Sequence, residues 1–87
     1  SQLELNKTLR QAKDAHFALQ QHEVAVSQST EALRILQNRY QQGLVATNDI
    51  LQSQTQLSQQ KLNHAQAIYQ FNTTQAYLEF LTTTTEK

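Results

Sequence analysis

The chain has 87 residues, with seven basic and seven acidic side chains and no cysteine. A chain of this length forms at most one small domain, and its balanced charge disfavours binding to nucleic acid or to an anionic membrane, which needs a basic surplus. One glycine and no proline leave little turn chemistry, which disfavours a many-stranded fold. No run approaches the roughly 18 apolar residues of a membrane helix, so we expect no direct membrane contact.

The first half of the chain predicts one long helix. Apolar or small residues recur every seven positions, and a second set follows three residues after each of them. This heptad pattern is typical of coiled-coil packing. The positions are Leu5, Ala12, Leu19, Val26, Leu33 and Tyr40, then Thr8, Ala15, His22, Ser29, Leu36 and Gly43. A stripe of alanines (Ala18, Ala25 and Ala32) lies on a neighbouring face.

The next residues predict a turn centred on the single glycine. We expect Gly43 to end the first helix in the left-handed conformation, which costs glycine least. Thr47 or Asn48 is then expected to cap the second helix. Leu44 and Val45 are apolar where turns are usually polar. Two interpretations stay open for this pair: it closes the end of the helix contact, or it forms an exposed anchor for a partner.

The second half of the chain predicts a returning helix with two apolar stripes. One stripe is Ile50, Leu57, His64, Phe71 and Leu78, and the other is Thr55, Leu62, Tyr69 and Ala76. The two stripes lie roughly 140° apart around a helix. A hairpin needs only one contact face per helix, so a second face indicates packing on a neighbour outside the hairpin.

The predicted fold is all-α: a long, antiparallel, coiled-coil-like hairpin over residues 1–87. We expect helices at about 3–41 and 48–81, a turn at about 42–47 and a frayed tail over 82–87. The numbers of facing residues should add to about 91, since short loops join antiparallel neighbours. That places Leu36 near Thr55, Val26 near Ala65 and His22 near Tyr69.

The hairpin is also expected to expose an apolar strip. Its members would be the alanine stripe of the first helix and Leu57, Phe71 and Leu78 of the second. Exposed strips of this kind usually find a partner, so we expect the chain to self-associate.

The chain shows no pattern of a catalytic, cofactor or metal site. His16, His22 and His64 have no metal-ligand spacing, the acids are dispersed, and no glycine-rich phosphate loop is present. We therefore predict no enzyme activity, no cofactor and no metal. His22 and His64 occupy heptad positions, where a neighbour in the helix contact is expected to satisfy them.

Residues 32–81 resemble the TolC-like family of outer-membrane efflux proteins. The matching segments are residues 38–45 (NRYQQGLV), 49–54 (DILQSQ) and 65–71 (AQAIYQF), followed by Leu78. In that family an Arg-Tyr pair, a turn glycine, an Asp-hydrophobic-Leu step and an alanine-tyrosine stretch follow in this order. The chain departs from the pattern in four places. Ala46 stands where the family often has Ser or Thr, Gln52 where it often has an acid, and Ser53 where it usually has Ala; threonines replace the usual closing glycine after the final helix.

The resemblance implies a periplasmic portion of an outer-membrane protein in the Gram-negative cell envelope. The chain would be a fragment of a helical tunnel formed by a homotrimer, in which each chain supplies two such hairpins. The turn would dock a periplasmic adaptor protein and, through it, an inner-membrane pump. The candidate partner-binding residues at this tip are Arg39, Tyr40, Gly43, Leu44, Val45 and Asp49.

Two other functions remain open. The chain could be the hairpin of the adaptor itself, or a generic coiled-coil spacer. The adaptor tip usually has an Arg followed four residues later by a Leu, whereas here Gly43 follows Arg39 at that distance. A spacer would explain the heptads but not the spacing of Gly43 and Asp49.

Overall fold

The computed structural model describes residues 2–85, except for the side chain of residue 85, and contains two long helices joined by a short turn. Helix α1 spans Gln2–Gln41 and helix α2 spans Thr47–Thr85. The Cα positions extend over 67 × 14 × 13 Å, so the helices lie side by side along a rod. The prediction of an all-α, coiled-coil-like hairpin is confirmed.

The two helices meet along one seam. It consists of every seventh residue from Leu5 to Leu33 on α1 and from Ile50 to Leu78 on α2, with the residue three positions after each. Its buried members are Thr8, Ala12 and Ala15 of α1 and Ala67, Thr74 and Leu81 of α2. Both buried threonines are satisfied locally: the hydroxyl groups of Thr8 and Thr74 donate to the carbonyl groups four residues earlier, at 3.0 and 2.8 Å.

The register of the hairpin differs from the predicted one by about one helical turn. Contacts join His16 to Phe71, Glu23 to His64 and Tyr40 to Thr47, and in each pair the two residue numbers add to 87. The expected sum of about 91 for facing residue numbers assumed that the chain reverses direction later in the connection than it does. The chain reverses direction at Gly43, so the residues between Gly43 and α2 already run back towards the other end of the rod. The expected partners Thr55, Ala65 and Tyr69 consequently face away from α1 and are exposed.

The seam uses the first of the two stripes predicted on α2. Leu57, Phe71 and Leu78 are half-buried in it, so the expectation that they form an exposed strip is wrong. The alanine stripe of α1 borders the same seam, and only its last member is exposed. The exposed strip is instead the second stripe of α2, in which Leu62 and Tyr69 are 52% and 73% exposed.

Helix α2 begins one residue earlier than expected and continues beyond the predicted end at residue 81. The frayed tail is therefore wrong for residues 82–85, and residues 86–87 lie outside the described chain. The hydroxyl groups of Thr82 and Thr84 donate to the carbonyl groups of Leu78 and Phe80, both at 2.9 Å. No glycine or proline interrupts the helix there, so the threonines continue it.

One cross-helix hydrogen bond fastens the end of the rod opposite the turn. The Tyr77 hydroxyl donates to Glu4 Oε1 at 2.6 Å, and this bond raises the pKa of the Tyr77 phenol above its ordinary value. The Tyr77 ring also stacks on Phe80, with ring centroids 6.4 Å apart.

Candidate partner-binding site

The hairpin tip begins where Gly43 ends α1. Gly43 has φ 77°, its N–H donates to the Tyr40 carbonyl at 2.9 Å, and the N–H of Leu44 donates to the Arg39 carbonyl at 2.9 Å. This pair of bonds is a Schellman motif, in which a left-handed residue satisfies the last carbonyl groups of a helix. The predicted role of Gly43 as a left-handed helix end is confirmed.

The start of α2 is only half capped. Ala46 occupies the cap position, and its N–H donates to Asp49 Oδ2 at 3.2 Å. This is one half of a capping box; the other half needs a side-chain oxygen at the cap, which alanine lacks. The expectation that Thr47 or Asn48 caps α2 is wrong, because both already lie within the helix.

Thr47 has a different role, which the sequence pattern did not predict. Its hydroxyl donates to the Tyr40 hydroxyl at 3.2 Å and so joins the last turn of α1 to the first turn of α2. The backbone hydrogen bonds at Gly43 and Leu44 thus fix the end of α1, and this side-chain hydrogen bond fixes the start of α2 against it. The signal available in the sequence was only that a tyrosine and a threonine flank the turn.

The apolar residues of the tip are displayed rather than enclosed. Leu44 is 68% exposed and Tyr40 is 47% exposed, while Val45 is half-buried. A side chain that closed the end of the seam would lose most of its exposure. Of the two interpretations left open by the sequence, the exposure of Leu44 favours an anchor for a partner, whereas the partial burial of Val45 is compatible with closing the hairpin.

Two charged residues flank this apolar tip. Arg39 lies in the last turn of α1 and Asp49 in the first turn of α2, and both are exposed. Each charge suits the partial charge of its helix end. An apolar centre bordered by polar and charged groups is the usual anatomy of a protein-binding patch. The structure brings all six predicted tip residues to one end of the rod.

The histidines lie far from the tip, along the rod. His64 is in the seam as predicted, with Nε2 3.8 Å from Glu23 Oε1, a distance too long for a hydrogen bond. Nε2 of His64 is buried and has no hydrogen-bond partner, so the expectation that a neighbour satisfies it is wrong. The His16 ring packs against Phe71, with centroids 5.7 Å apart. Within residues 2–85 the His, Asp and Glu side chains form no cluster of three or more that could hold a metal ion.

Among the described residues, neither helix has a stretch long and apolar enough to cross a membrane. Comparisons of the chain with protein-family models, with curated proteins and with solved structures give no match. The resemblance to the TolC-like family therefore stays a prediction.

Proposed function

We propose that the hairpin is a structural, non-enzymatic wall segment of a trimeric outer-membrane efflux channel of the TolC-like kind. It would stand in the periplasm and dock an adaptor protein end-on through its tip. The observation that carries the proposal is the exposure of Leu44 beyond a turn of fixed geometry. A rigid Schellman turn presents this side chain without the cost of ordering a flexible loop.

Further support comes from the surface of the rod. Charged residues make up 16% of the chain, against about 25% in ordinary domains, and glutamine and threonine are abundant. A conduit wall needs a wetted surface that does not bind charged solutes tightly, and uncharged amide and hydroxyl groups provide one. A single tip offers a small contact, so useful affinity would come from several tips arranged in a ring.

The test is a double substitution at the tip in the full-length protein. Leu44→Asp with Val45→Asp should reduce efflux of a fluorescent dye from cells to the level of cells that lack the protein. The reason is that two carboxylates would face a desolvated contact without partners. Trimer assembly, followed by size-exclusion chromatography, should stay at the wild-type level.

The matched control adds charge at the same end without removing the apolar anchor. Gln41→Asp with Gln42→Asp introduces the same two charges on exposed residues beside Gly43, and it should retain most of the efflux. Wild-type efflux in the Leu44 and Val45 variant would contradict the docking role. Equal loss in both variants would show that charge at the tip, rather than the apolar anchor, decides the outcome.

A further inference from the structure

His64 is an ionisable side chain within the seam, about halfway along the rod. Its Nε2 atom is buried and has no hydrogen-bond partner among the described residues. Glu23 Oε1 of α1 lies 3.8 Å from this atom, beyond hydrogen-bond distance. A buried polar atom without a partner costs free energy. The seam therefore contains a group that a partner on the other helix would stabilise, and a carboxylate lies beside it.

Protonation changes what the imidazole ring can do at this position. A neutral ring has one N–H and no charge, whereas a protonated ring has an N–H on both nitrogen atoms and a positive charge. Protonated His64 therefore presents an Nε2–H donor and a positive charge to the Glu23 carboxylate. Hydrogen bonds between ions of opposite charge are about 2.7–2.9 Å long, so the two atoms have to approach by about 1 Å. The Glu23 side chain is 57% exposed, so rotation about its own single bonds can supply this movement.

We propose that the His64–Glu23 pair is a pH-sensitive link between the two helices. In mildly acidic surroundings protonated His64 donates to Glu23 and fastens α1 to α2 at the middle of the rod. At neutral pH the pair stays open, and the hairpin is held by the rest of the seam. The proposal uses no residue of the tip and does not depend on what the tip binds.

The exposure of the two side chains decides the balance between their attraction and the cost of removing charge from water. A fully buried ion pair gains little because both ions lose their hydration. The side chain of His64 is 28% exposed and that of Glu23 is 57% exposed, so both ions keep part of their hydration. A fully exposed pair would be screened by water and salt, whereas the Nε2 atom is buried. The attraction is therefore stronger than on an open surface, and the cost is lower than in a closed core.

Helix α1 has two ionisable side chains over residues 17–30, Glu23 and His22. His22 is half-buried and lines a shallow groove together with Asn63 of α2. When protonated, His22 carries the same charge as His64 and opposes the proposed link. The attraction from Glu23 has to outweigh this repulsion, and substitution of His22 measures how large the repulsion is.

Helix α2 has one further ionisable side chain over residues 50–68, which is Lys61. It precedes His64 by three residues, and residues at this spacing are neighbours on a helix surface. Its positive charge also opposes protonation of His64. Lys61 is exposed, so water and salt screen its ammonium group more strongly than they screen a carboxylate in contact with the seam.

The direction of the pH effect follows from the linkage between proton binding and folding. A proton that the folded chain holds more tightly than the unfolded chain adds stability that is fully present below about pH 6.5, where a histidine in an unfolded chain titrates. This stability is lost as the pH rises further. Glutamate side chains ordinarily titrate near about pH 4.3, so they are still ionised at pH 5.5. The link should therefore stabilise the hairpin at pH 5.5 and not at pH 7.5.

The first test compares melting temperatures of the 87-residue chain at pH 7.5 and pH 5.5, followed by circular dichroism. Other groups also titrate in this range, so the quantity of interest is the difference between the wild type and Glu23→Gln. On acidification the melting temperature of the wild type should gain roughly 5 °C more than that of Glu23→Gln. Glu23 is exposed, so the variant should keep wild-type helicity. An equal change in both chains would overturn the proposal.

Two control variants show whether the effect belongs to this pair. Glu31→Gln removes the same charge from the same helix, and the side chains of Glu31 and Glu23 are both 57% exposed. Glu31 is paired with Arg34 within α1, so its loss should cost the same at both pH values and leave the wild-type response to acid. His22→Gln should also retain that response. Loss of the response in either control, to the extent seen in Glu23→Gln, would overturn the proposal.

The second test removes the imidazole. In a His64→Gln background, the further substitution Glu23→Gln should change the melting temperature by the same amount at pH 5.5 and pH 7.5, because no titrating partner remains. A pH-dependent effect of Glu23→Gln that persists without His64 would overturn the proposal. The tip variant Leu44→Asp with Val45→Asp should keep the full response to acid, so failure of the docking function and failure of this proposal give different results.

Discussion

Substituting Gly43 measures mainly the free-energy cost of placing an L-residue in the left-handed backbone conformation. Gly43 has φ 77°, and a Cβ added there would meet no atom within 4 Å. A Cβ at this position therefore makes no steric contact with neighbours, and the cost of alanine is conformational. We expect Gly43→Ala to destabilise the hairpin by about 1 kcal/mol and Gly43→Val by about 2 kcal/mol, because a β-branched residue fits this region worst.

Thermal unfolding followed by circular dichroism measures this cost. For a domain of this size, 1 kcal/mol shifts the melting temperature by roughly 4–8 °C, so the alanine and valine variants should melt about 6 and 12 °C below the wild type. The control is D-alanine at the same position in a chemically assembled chain. It prefers positive φ and should melt no lower than glycine. A valine variant as stable as the wild type, or a D-alanine variant as unstable as L-alanine, would refute the reasoning.

Two further changes test the ends of the hairpin. Ala46→Ser should stabilise it by about 1 kcal/mol, seen as a higher melting temperature, because a serine hydroxyl could accept a hydrogen bond from the first turn of α2 and complete the capping box that Asp49 begins. The free energy of unfolding should also fall as the pH rises above about 10. The bond to Glu4 raises the pKa of the Tyr77 phenol in the folded chain. Its stabilising effect is therefore fully present below the pKa that the phenol has in the unfolded chain, and it is lost as the phenol ionises in the folded chain. Tyr77→Phe should remove much of this fall in alkaline melting curves, whereas Tyr69→Phe, at an exposed ring, should leave it in place.

The features that local sequence determines were predictable. The heptad spacing identified the α1 side of the seam and two candidate stripes on α2, and the single glycine identified the turn, because helix periodicity and a left-handed backbone position can both be recognised from residue types. The register of the hairpin, that is, which residues face each other across the seam, was not predictable in the same way. It depends on which residue of the connection reverses the chain, and the Schellman bonds from Gly43 and Leu44 complete the reversal before residue 45.

The assignment of the two α2 stripes failed for a related reason. Both stripes have helical spacing, so periodicity alone cannot say which one faces α1. The choice follows from the register and from packing, since the chosen stripe brings Phe71 onto the His16 ring and the small Ala67 into the seam. The tip residues were identified correctly as a group, but the bond from Thr47 to Tyr40 needs the three-dimensional closure of the turn.

The composition of the seam explains why the hairpin offers other surfaces to partners. Of its six buried residues, three are alanines, two are threonines and one is leucine. At about 25 cal/mol per Å² of apolar surface, side chains this small contribute little when buried, and the large apolar residues of the seam, such as Leu57 and Phe71, are only half-buried. Further apolar side chains are exposed outside the seam, at Leu62 and Tyr69 along α2 and at Leu44 of the tip. A neighbour bound at either place adds stability by mass action, because it binds the folded chain and not the unfolded one. The two surfaces share no residue, so the rod can be covered along its side without losing the end-on contact at its tip.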